Sequence, residues 1–269
     1  MSTFMELIVD SGSTKAKWVF AEGGNIVRQV VTAGINATQQ SREVMAEVMA
    51  EVGIKGVTRI RFYGAGCIGG EVNEVVREEL VKASGCRDVS VESDIVGAAV
   101  GSLGEARGIV CILGTGANAV LWDGVKVVGR VNAGGYILGD EGSGAVMGRE
   151  LISDYVKGVT PEWLTEILEG EYGLSYQEVV ERVYRQPMAN RWLAGFAKLL
   201  GQHRDDEYVR ELVTGAFRRF MKRNVCRFEG WEEMDCAVVG SIGFYFEEEL
   251  RGVCDELGVR LKMVKREPF

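Results

Sequence analysis

Histidine is almost missing from this chain: His203 is the only one in 269 residues. It sits in the polar run Gln202-His203-Arg204-Asp205-Asp206, which reads as a solvated loop. Most histidine-based mechanisms and His-rich metal sites are thereby excluded. Proline is also scarce, with three residues, and no long polar linker occurs. Six cysteines (Cys67, Cys86, Cys111, Cys226, Cys236 and Cys254) form no C-x-x-C pair and no metal spacing. Cys111 lies in an apolar run, and buried free thiols fit a reducing cytoplasm. No basic n-region precedes an apolar core at the N-terminus, so no signal peptide is expected. No apolar stretch approaches the ~20 residues that a membrane helix needs. Basic residues are outnumbered 31 to 39, a formal net charge of −8. A nucleic acid or an anionic membrane as partner would need a broad basic field, so neither is expected.

What the chain does have is a pattern that occurs twice. Leu7 to Trp18 reads LIVDSGSTKAKW, and Cys111 to Trp122 reads CILGTGANAVLW. A gapless alignment sets Asp10 on Gly114, Gly12 on Gly116 and Trp18 on Trp122. Ala33-Gly34 is echoed by Ala133-Gly134. So long a period points to a duplicated domain rather than a short-repeat solenoid. Each copy sets a Gly-rich turn between two strands, where backbone N–H groups can converge on an anion. Two such loops predict a nucleotide held in a cleft.

Hydrophobic patterning fills in the elements. Strands are expected at 4–9, 16–21 and 25–31, a helix at 39–52, then a strand at 59–63 and a helix at 71–83. A strand at 89–92 and a helix at 94–103 close the first half. The second half repeats the strand triplet at 109–113, 117–122 and 125–131. A helix from about Gly144, a mostly helical stretch at 153–228, a strand at 236–239, a helix at 244–257 and a strand at 259–263 follow. Val209, Leu212, Val213, Ala216, Phe217, Phe220 and Met221 keep helical spacing without a break. The domain boundary is expected near Gly104–Gly108, giving domains 1–106 and 107–269, the second with a helical insertion at about 153–228.

Four segments carry chemistry: DSGSTK (10–15), GTGAN (114–118), GDEGSG (139–144) and VVGSIG (238–243). Each is weak alone, and the first two are ordinary turn chemistry. Asp94 ends the strand VSVES and opens a helix. Such a carboxylate is commonly an N-cap, but a strand-end acid also faces the mouth of an α/β sheet. Three glycines and two adjacent acids in Gly139–Gly144 are poorly explained by packing, although acids also favour a helix N-terminus by about 0.3–1 kcal/mol each. Gly64, Gly66 and Gly69 make a formal G-x-G-x-x-G, but the preceding strands are hairpin-linked rather than βαβ. Close helix–strand packing is the expected use of these glycines.

Together, in this order and spacing, the four segments resemble the superfamily of acetate kinase, sugar kinases, heat-shock chaperones and actin. The match is closest to the branch holding N-acetylglucosamine kinase and the activator ATPases of benzoyl-CoA reductase and hydroxyacyl-CoA dehydratases. The resemblance covers nearly the whole chain. It implies an α/β fold of two duplicated ribonuclease H-like (actin-like ATPase) domains around a nucleotide cleft. It further implies a cytoplasmic sugar kinase that uses ATP and Mg²⁺ on a small-molecule amino sugar, and a homodimer. Carried over by position, Gly12, Ser13, Thr14, Lys15, Gly114, Thr115, Gly116, Gly240 and Ser241 bind ATP, and Asp10 holds Mg²⁺ through water. Asn36, Asn118, Gly135 and Asp140 contact sugar, and Asp94 takes the proton of the attacking hydroxyl. Gly134 stands where the kinases usually have Trp in G-W-G. The chain stops at Pro268-Phe269, whereas relatives usually continue through a Gly-Ala turn into a helix packed on the first domain. An activator ATPase is the alternative reading, although Cys111 precedes the second loop and no suitably placed second cysteine is obvious. A non-catalytic sugar or nucleotide binder is another, but the sequence has no helix-turn-helix and no zinc motif of the related repressors.

Overall fold

The computed structural model describes residues 4–12 and 14–269. The chain divides into two compact units, one running to Gly101 and taking in Pro268–Phe269, the other spanning Ser102–Glu267. The first unit holds β1 (Met5–Ser11), β2 (Lys15–Glu22), β3 (Asn25–Ala33), α1 (Arg42–Val52), β4 (Arg59–Gly64), α2 (Gly70–Ser84), β5 (Val89–Ser93) and α3 (Asp94–Ser102). Its sheet order is β3-β2-β1-β4-β5, with β1–β2 and β2–β3 antiparallel and β1–β4 and β4–β5 parallel. Alternation along β1 sends Leu7 and Val9 into a core with Trp18, Ile60, Phe62 and Leu80. Glu6, Ile8 and Asp10 share the other face.

The second unit opens with β6 (Gly108–Leu113), β7 (Ala117–Trp122) and β8 (Val127–Val131). Then come α4 (Gly135–Leu138), α5 (Gly144–Lys157), α6 (Glu162–Gly170), α7 (Tyr176–Tyr184), α8 (Ala189–Ala194), α9 (Ala197–Gln202) and α10 (Glu207–Arg223). β9 (Asp235–Val239), α11 (Ser241–Tyr245), α12 (Glu247–Leu257) and β10 (Arg260–Lys265) complete it. The sheet order β10-β9-β6-β7-β8 is that of the first unit read from its other edge, with the same parallel and antiparallel steps. The duplication and the α/β class expected from the sequence are therefore present. The core of this unit is built on α5, α10 and the sheet, through Leu151, Phe217, Phe220, Cys236 and Phe246. Among the described residues no helix is long and apolar enough to cross a membrane.

The repeat is real, but its gapless alignment is not the structural one. In the first unit Ser11 pairs with Ala16 and Val9 with Trp18. In the second, Leu113 pairs with Ala117, while Trp122 pairs with Gly108, far from the turn. The second turn is one residue shorter, so Gly12 corresponds to Gly114: Gly12 N donates to Lys15 O (3.0 Å) and Gly114 N to Gly116 O (3.0 Å). The two tryptophans thus sit at different depths. Trp18 Nε1 donates to Thr32 Oγ1 (2.9 Å), Trp122 Nε1 to Gly104 O (2.8 Å).

Several boundaries move for local reasons. α1 starts at Arg42 because the N–H groups of Gln39 and Gln40 donate to Asn36 O and form a turn. β8 starts at Val127 because Asp123 Oδ1 accepts from the N–H groups of Val125 (2.8 Å) and Lys126 (2.7 Å). The helix expected at 244–257 is two helices that break at Phe246, whose side chain is buried in the core.

Candidate functional site

In the first unit the candidate residues gather at the carboxyl ends of the parallel strands, where α/β sheets hold ligands. Ser11, Gly64 and Ser93 are adjacent across β1, β4 and β5. Each is followed by a loop or helix start carrying a candidate: Gly12 after β1, the 65–69 loop after β4, Asp94 after β5. Asp94 is the first residue of α3, and its Oδ1 accepts from Ile95 N (2.9 Å). Its negative charge and that of Glu92 add to burial in pushing the Cys67 thiol up to about 12. Asp10 lies on β1 across from Lys17 and Tyr63. Thr14 and Lys15 are exposed on the turn and the start of β2, and Ser13 lies outside the described residues.

Asn36 is buried beside these strand ends and is held there by an organised loop. Ser11, itself fully buried, exchanges two hydrogen bonds with Ile35: Ser11 Oγ donates to Ile35 O (3.0 Å) and accepts from Ile35 N (2.7 Å). Asn36 Oδ1 accepts from Thr38 N (3.2 Å) and Thr38 Oγ1 (2.9 Å), and Gln40 Oε1 accepts from Asn36 N (3.1 Å). Ala65 N donates to Ser11 O (2.7 Å) and Ala37 N to Ala65 O (3.1 Å). Gly66 has φ +76°, and a Cβ there would lie 2.4 Å from Asn36 Oδ1. Of the three G-x-G-x-x-G glycines, Gly66 therefore admits the Asn36 loop, Gly64 lies against the Phe62 ring (a Cβ would be 2.4 Å from it) and Gly69 has a positive φ of +96° with open space around it; none packs a helix on a strand, which corrects their expected use.

In the second unit a further group converges. The turn Gly114–Gly116 joins β6 to β7, and α5 begins against it: Gly144 N donates to Gly114 O (2.9 Å), Ala145 N to Thr115 O (3.2 Å). Ser143 caps α5 through Val146 N (3.2 Å). Gly240 follows β9 with φ +125°, and a Cβ there would lie 2.3 Å from Leu113 O. Gly240 is thus packed on the last residue of β6, just before the second glycine turn, and Ser241 is exposed just beyond at the start of α11. Asn118 lies on β7, across from Ile112.

Asp140 stands over that turn. A Cβ on Gly116 would be 3.0 Å from Asp140 Oδ2. Asp140 N donates to Ala133 O (2.9 Å), and Asp140 O accepts from Ser143 N (3.0 Å). Gly135 opens α4 in the same segment, and its carbonyl accepts from Gly139 N (2.7 Å). Asp140 has φ +51°, a left-handed conformation that costs a non-glycine residue energy. Burial raises its carboxyl to about 6; the Ala117 N–H opposes this, and the Glu141 charge adds to it. Against the expectation from sequence, packing does account for the glycines around it. A Cβ would lie 1.9 Å from Ala133 O at Gly139, 2.9 Å from Phe220 Cβ at Gly142 and 3.1 Å from Ile242 Cδ1 at Gly144. The two acids are what packing leaves over.

Sequence reasoning passed over Ser11, Thr38 and Gln40, which hold Asn36, and Arg223 and Asn224, which hold Glu141. Ser11 was visible only as one letter of a turn motif. Arg223 and Asn224 are some eighty residues from Glu141 and carry no local signal. His203 lies in the turn after α9, away from every candidate above in the sequence, but it is half-buried with its ring 4.7 Å from that of Trp163, so it is packed rather than solvated. Among the described residues no cluster of three or more His, Cys, Asp or Glu is placed to hold a metal ion.

Two doubled sheet units of this topology, each with a glycine turn after its first strand, define the actin-like ATPase class. No family model matches the chain, and no curated protein sequence does. Solved structures do. A Porphyromonas gingivalis protein, provisionally assigned as an N-acetylglucosamine kinase, matches at TM-score 0.89 and 38% identity, over 97% of this chain and 95% of that one. A Chromobacterium violaceum protein with the same provisional assignment matches at 0.77 and 18% identity, over 100% and 97%. A ROK family glucokinase from Streptomyces griseus, in complex with glucose and AMPPNP, matches at 0.56 and 13% identity, over 98% and 94%. The last two speak for the fold alone. The first shows the family: this chain belongs to the N-acetylglucosamine kinase-like family of actin-like ATPases.

Proposed function

We propose that the chain transfers the γ-phosphoryl group of ATP to the 6-hydroxyl of an amino sugar, N-acetylglucosamine before others. The observation that carries this reading is the position of Asp94 at the carboxyl end of β5, two strands from the Gly12 turn, in a member of this family. The reading gives Asp94 the hydroxyl proton. The sugar oxygen bonds to the γ-phosphorus as the bond from phosphorus to the leaving oxygen of ADP breaks. General-base help of this kind contributes about 10²–10⁴-fold. Asn36, Asn118, Gly135 and Asp140 orient the sugar; a carboxylate accepts well from vicinal hydroxyls. Gly12, Ser13, Thr14, Lys15, Gly114, Thr115, Gly116, Gly240 and Ser241 bind ATP, through backbone N–H groups, hydroxyls and one cation.

Asp10 supplies one hard oxygen donor beside the first turn, and a single carboxylate completed by phosphate oxygens and waters suits Mg²⁺. Bound there, Mg²⁺ would neutralise phosphate charge. The activator-ATPase reading is weaker: Cys111 is fully buried, with its Sγ 3.9 Å from that of Cys236 between neighbouring strands, where neither thiol is offered to a partner.

The test is ADP release from Mg-ATP with N-acetylglucosamine, glucosamine, N-acetylmannosamine, muramic-type sugars, glucose and no sugar. Release that requires one amino sugar, and that falls about 10²–10⁴-fold in Asp94→Asn, is expected. Release without any sugar would overturn the reading.

A further inference from the structure

Beside Asp140 sits an acid with no assigned task. Glu141 is buried, and its carboxylate meets the end of α10. Its Oε1 lies 3.0 Å from Arg223 Nε, and its Oε2 accepts from Asn224 Nδ2 (3.4 Å). Asn224 is itself buried, and its amide also donates to Phe220 O (3.2 Å), so the helix end cannot turn away without breaking both bonds. Two polar pairs join α10 to α5 itself: Arg219 with Glu150, and Tyr208 Oη donating to Asp154 Oδ2 (2.8 Å). α10 is thus fastened along α5, and at its last turn it takes hold of the residue next to Asp140. That neighbour is the one in a left-handed conformation, which persists only when its surroundings over-determine it.

We infer that Glu141, clamped by Arg223 and Asn224, is a positioning residue that fixes the Asp140 carboxylate for a sugar hydroxyl and sets the acid limit of sugar binding. The inference rests on the kinase reading above for the identity of the ligand, not for the clamp. A buried carboxylate must be paired, and the exposed guanidinium of Arg223 only partly offsets its field. The remaining negative charge reaches Asp140 and favours its protonated form. Few other charges face Asp140. The turn 114–116, the start of β7 and the segment 133–135 carry no titratable side chain. On α5, Arg149 donates to the Tyr136 and Ile137 carbonyls, and Glu150 is bound to Arg219. On α10, Arg223 acts through Glu141.

The measurement has two arms. In the first, the Asp140 carboxyl carbon is titrated by carbon-13 NMR in wild type, Glu141→Gln and Glu141→Ala, assigned by its loss in Asp140→Asn. The wild-type group titrates near pH 6. In Glu141→Gln the midpoint moves lower, because the neighbouring charge that favours the protonated form is gone while burial of Asp140 remains. In the second arm, KM for N-acetylglucosamine is followed against pH. Glu141→Gln shifts its acid limb by the same amount, and Glu141→Ala raises the sugar KM about tenfold at pH 7.5 with kcat and the ATP KM little changed. A merely structural role would lower the folded fraction without moving either pH midpoint. An unmoved Asp140 titration in Glu141→Gln overturns the inference. Absence of sugar-dependent ADP release in wild type would overturn the kinase reading instead, and the first arm would still decide the clamp.

Discussion

At the scale of single residues, Asp140 shows how a site can work against stability. Its carboxyl in the folded chain holds a proton up to about pH 6, above the ordinary range near 3.8. Between those values the folded state binds more protons than the unfolded one, so stability falls as pH rises through this window and is not regained above it. Asparagine keeps an oxygen for the Ala117 N–H, carries no charge and adopts left-handed backbone more readily than other non-glycine residues. Asp140→Asn should therefore raise Tm at pH 7.5 by about 2–4 °C, the size of a gain near 1 kcal/mol in a chain of this length. The gain should shrink toward zero below about pH 4. Sugar binding should be lost in the same variant, since the one oxygen that remains is taken by the Ala117 N–H and the other is replaced by an NH₂ group that donates instead of accepting. Calorimetry across pH and a sugar titration check both halves. A stability gain bought with lost function is common at strained, buried charges.

At the scale of elements, the strand triplets, the helix from Gly144 and the long amphipathic stretch around Phe217 were legible because their periodicity is strong and local. The register of the two hairpins was not. It depends on turn length, and a one-residue difference between the Gly12 and Gly114 turns displaces Trp122 from its apparent match with Trp18. Asp94, Asn36 and Asp140 could be picked out as candidates because short motifs carry them. The residues that hold them could not, because Ser11 meets Ile35, and Glu141 meets Arg223 and Asn224, only after the chain has folded. The Ser11 bridge makes an element-level prediction. Ser11→Ala leaves the buried Ile35 N–H and C=O without these partners, and a buried unsatisfied group costs about 1–3 kcal/mol. Urea unfolding should show a loss of that size. The sugar KM should rise as well, because Asn36 is the next residue in the loop, while a substitution at exposed Thr14 should leave stability unchanged.

At the scale of the molecule, the duplication gives each unit its own core. Leu7, Trp18, Phe62 and Leu80 belong to one buried cluster, and Leu113, Phe217, Phe220 and Phe246 to another, with no residue in common. Hydrophobic burial is the dominant favourable term in folding, so separate clusters make separate cooperative units the natural expectation. Trp18 is the only tryptophan of the first unit; Trp122, Trp163, Trp192 and Trp231 all lie in the second. A Trp18→Phe background therefore reports the second unit alone, and the difference from wild type reports the first. Phe62→Ala and Phe217→Ala each remove a fully buried ring, at a cost of about 3–5 kcal/mol. Phe62→Ala should lower the midpoint of the Trp18 signal and spare that of the other four tryptophans, and Phe217→Ala should do the reverse. If both variants shift both signals equally, the chain unfolds as one block despite its two cores, and the cost of any core lesion must then be read against the whole 269 residues.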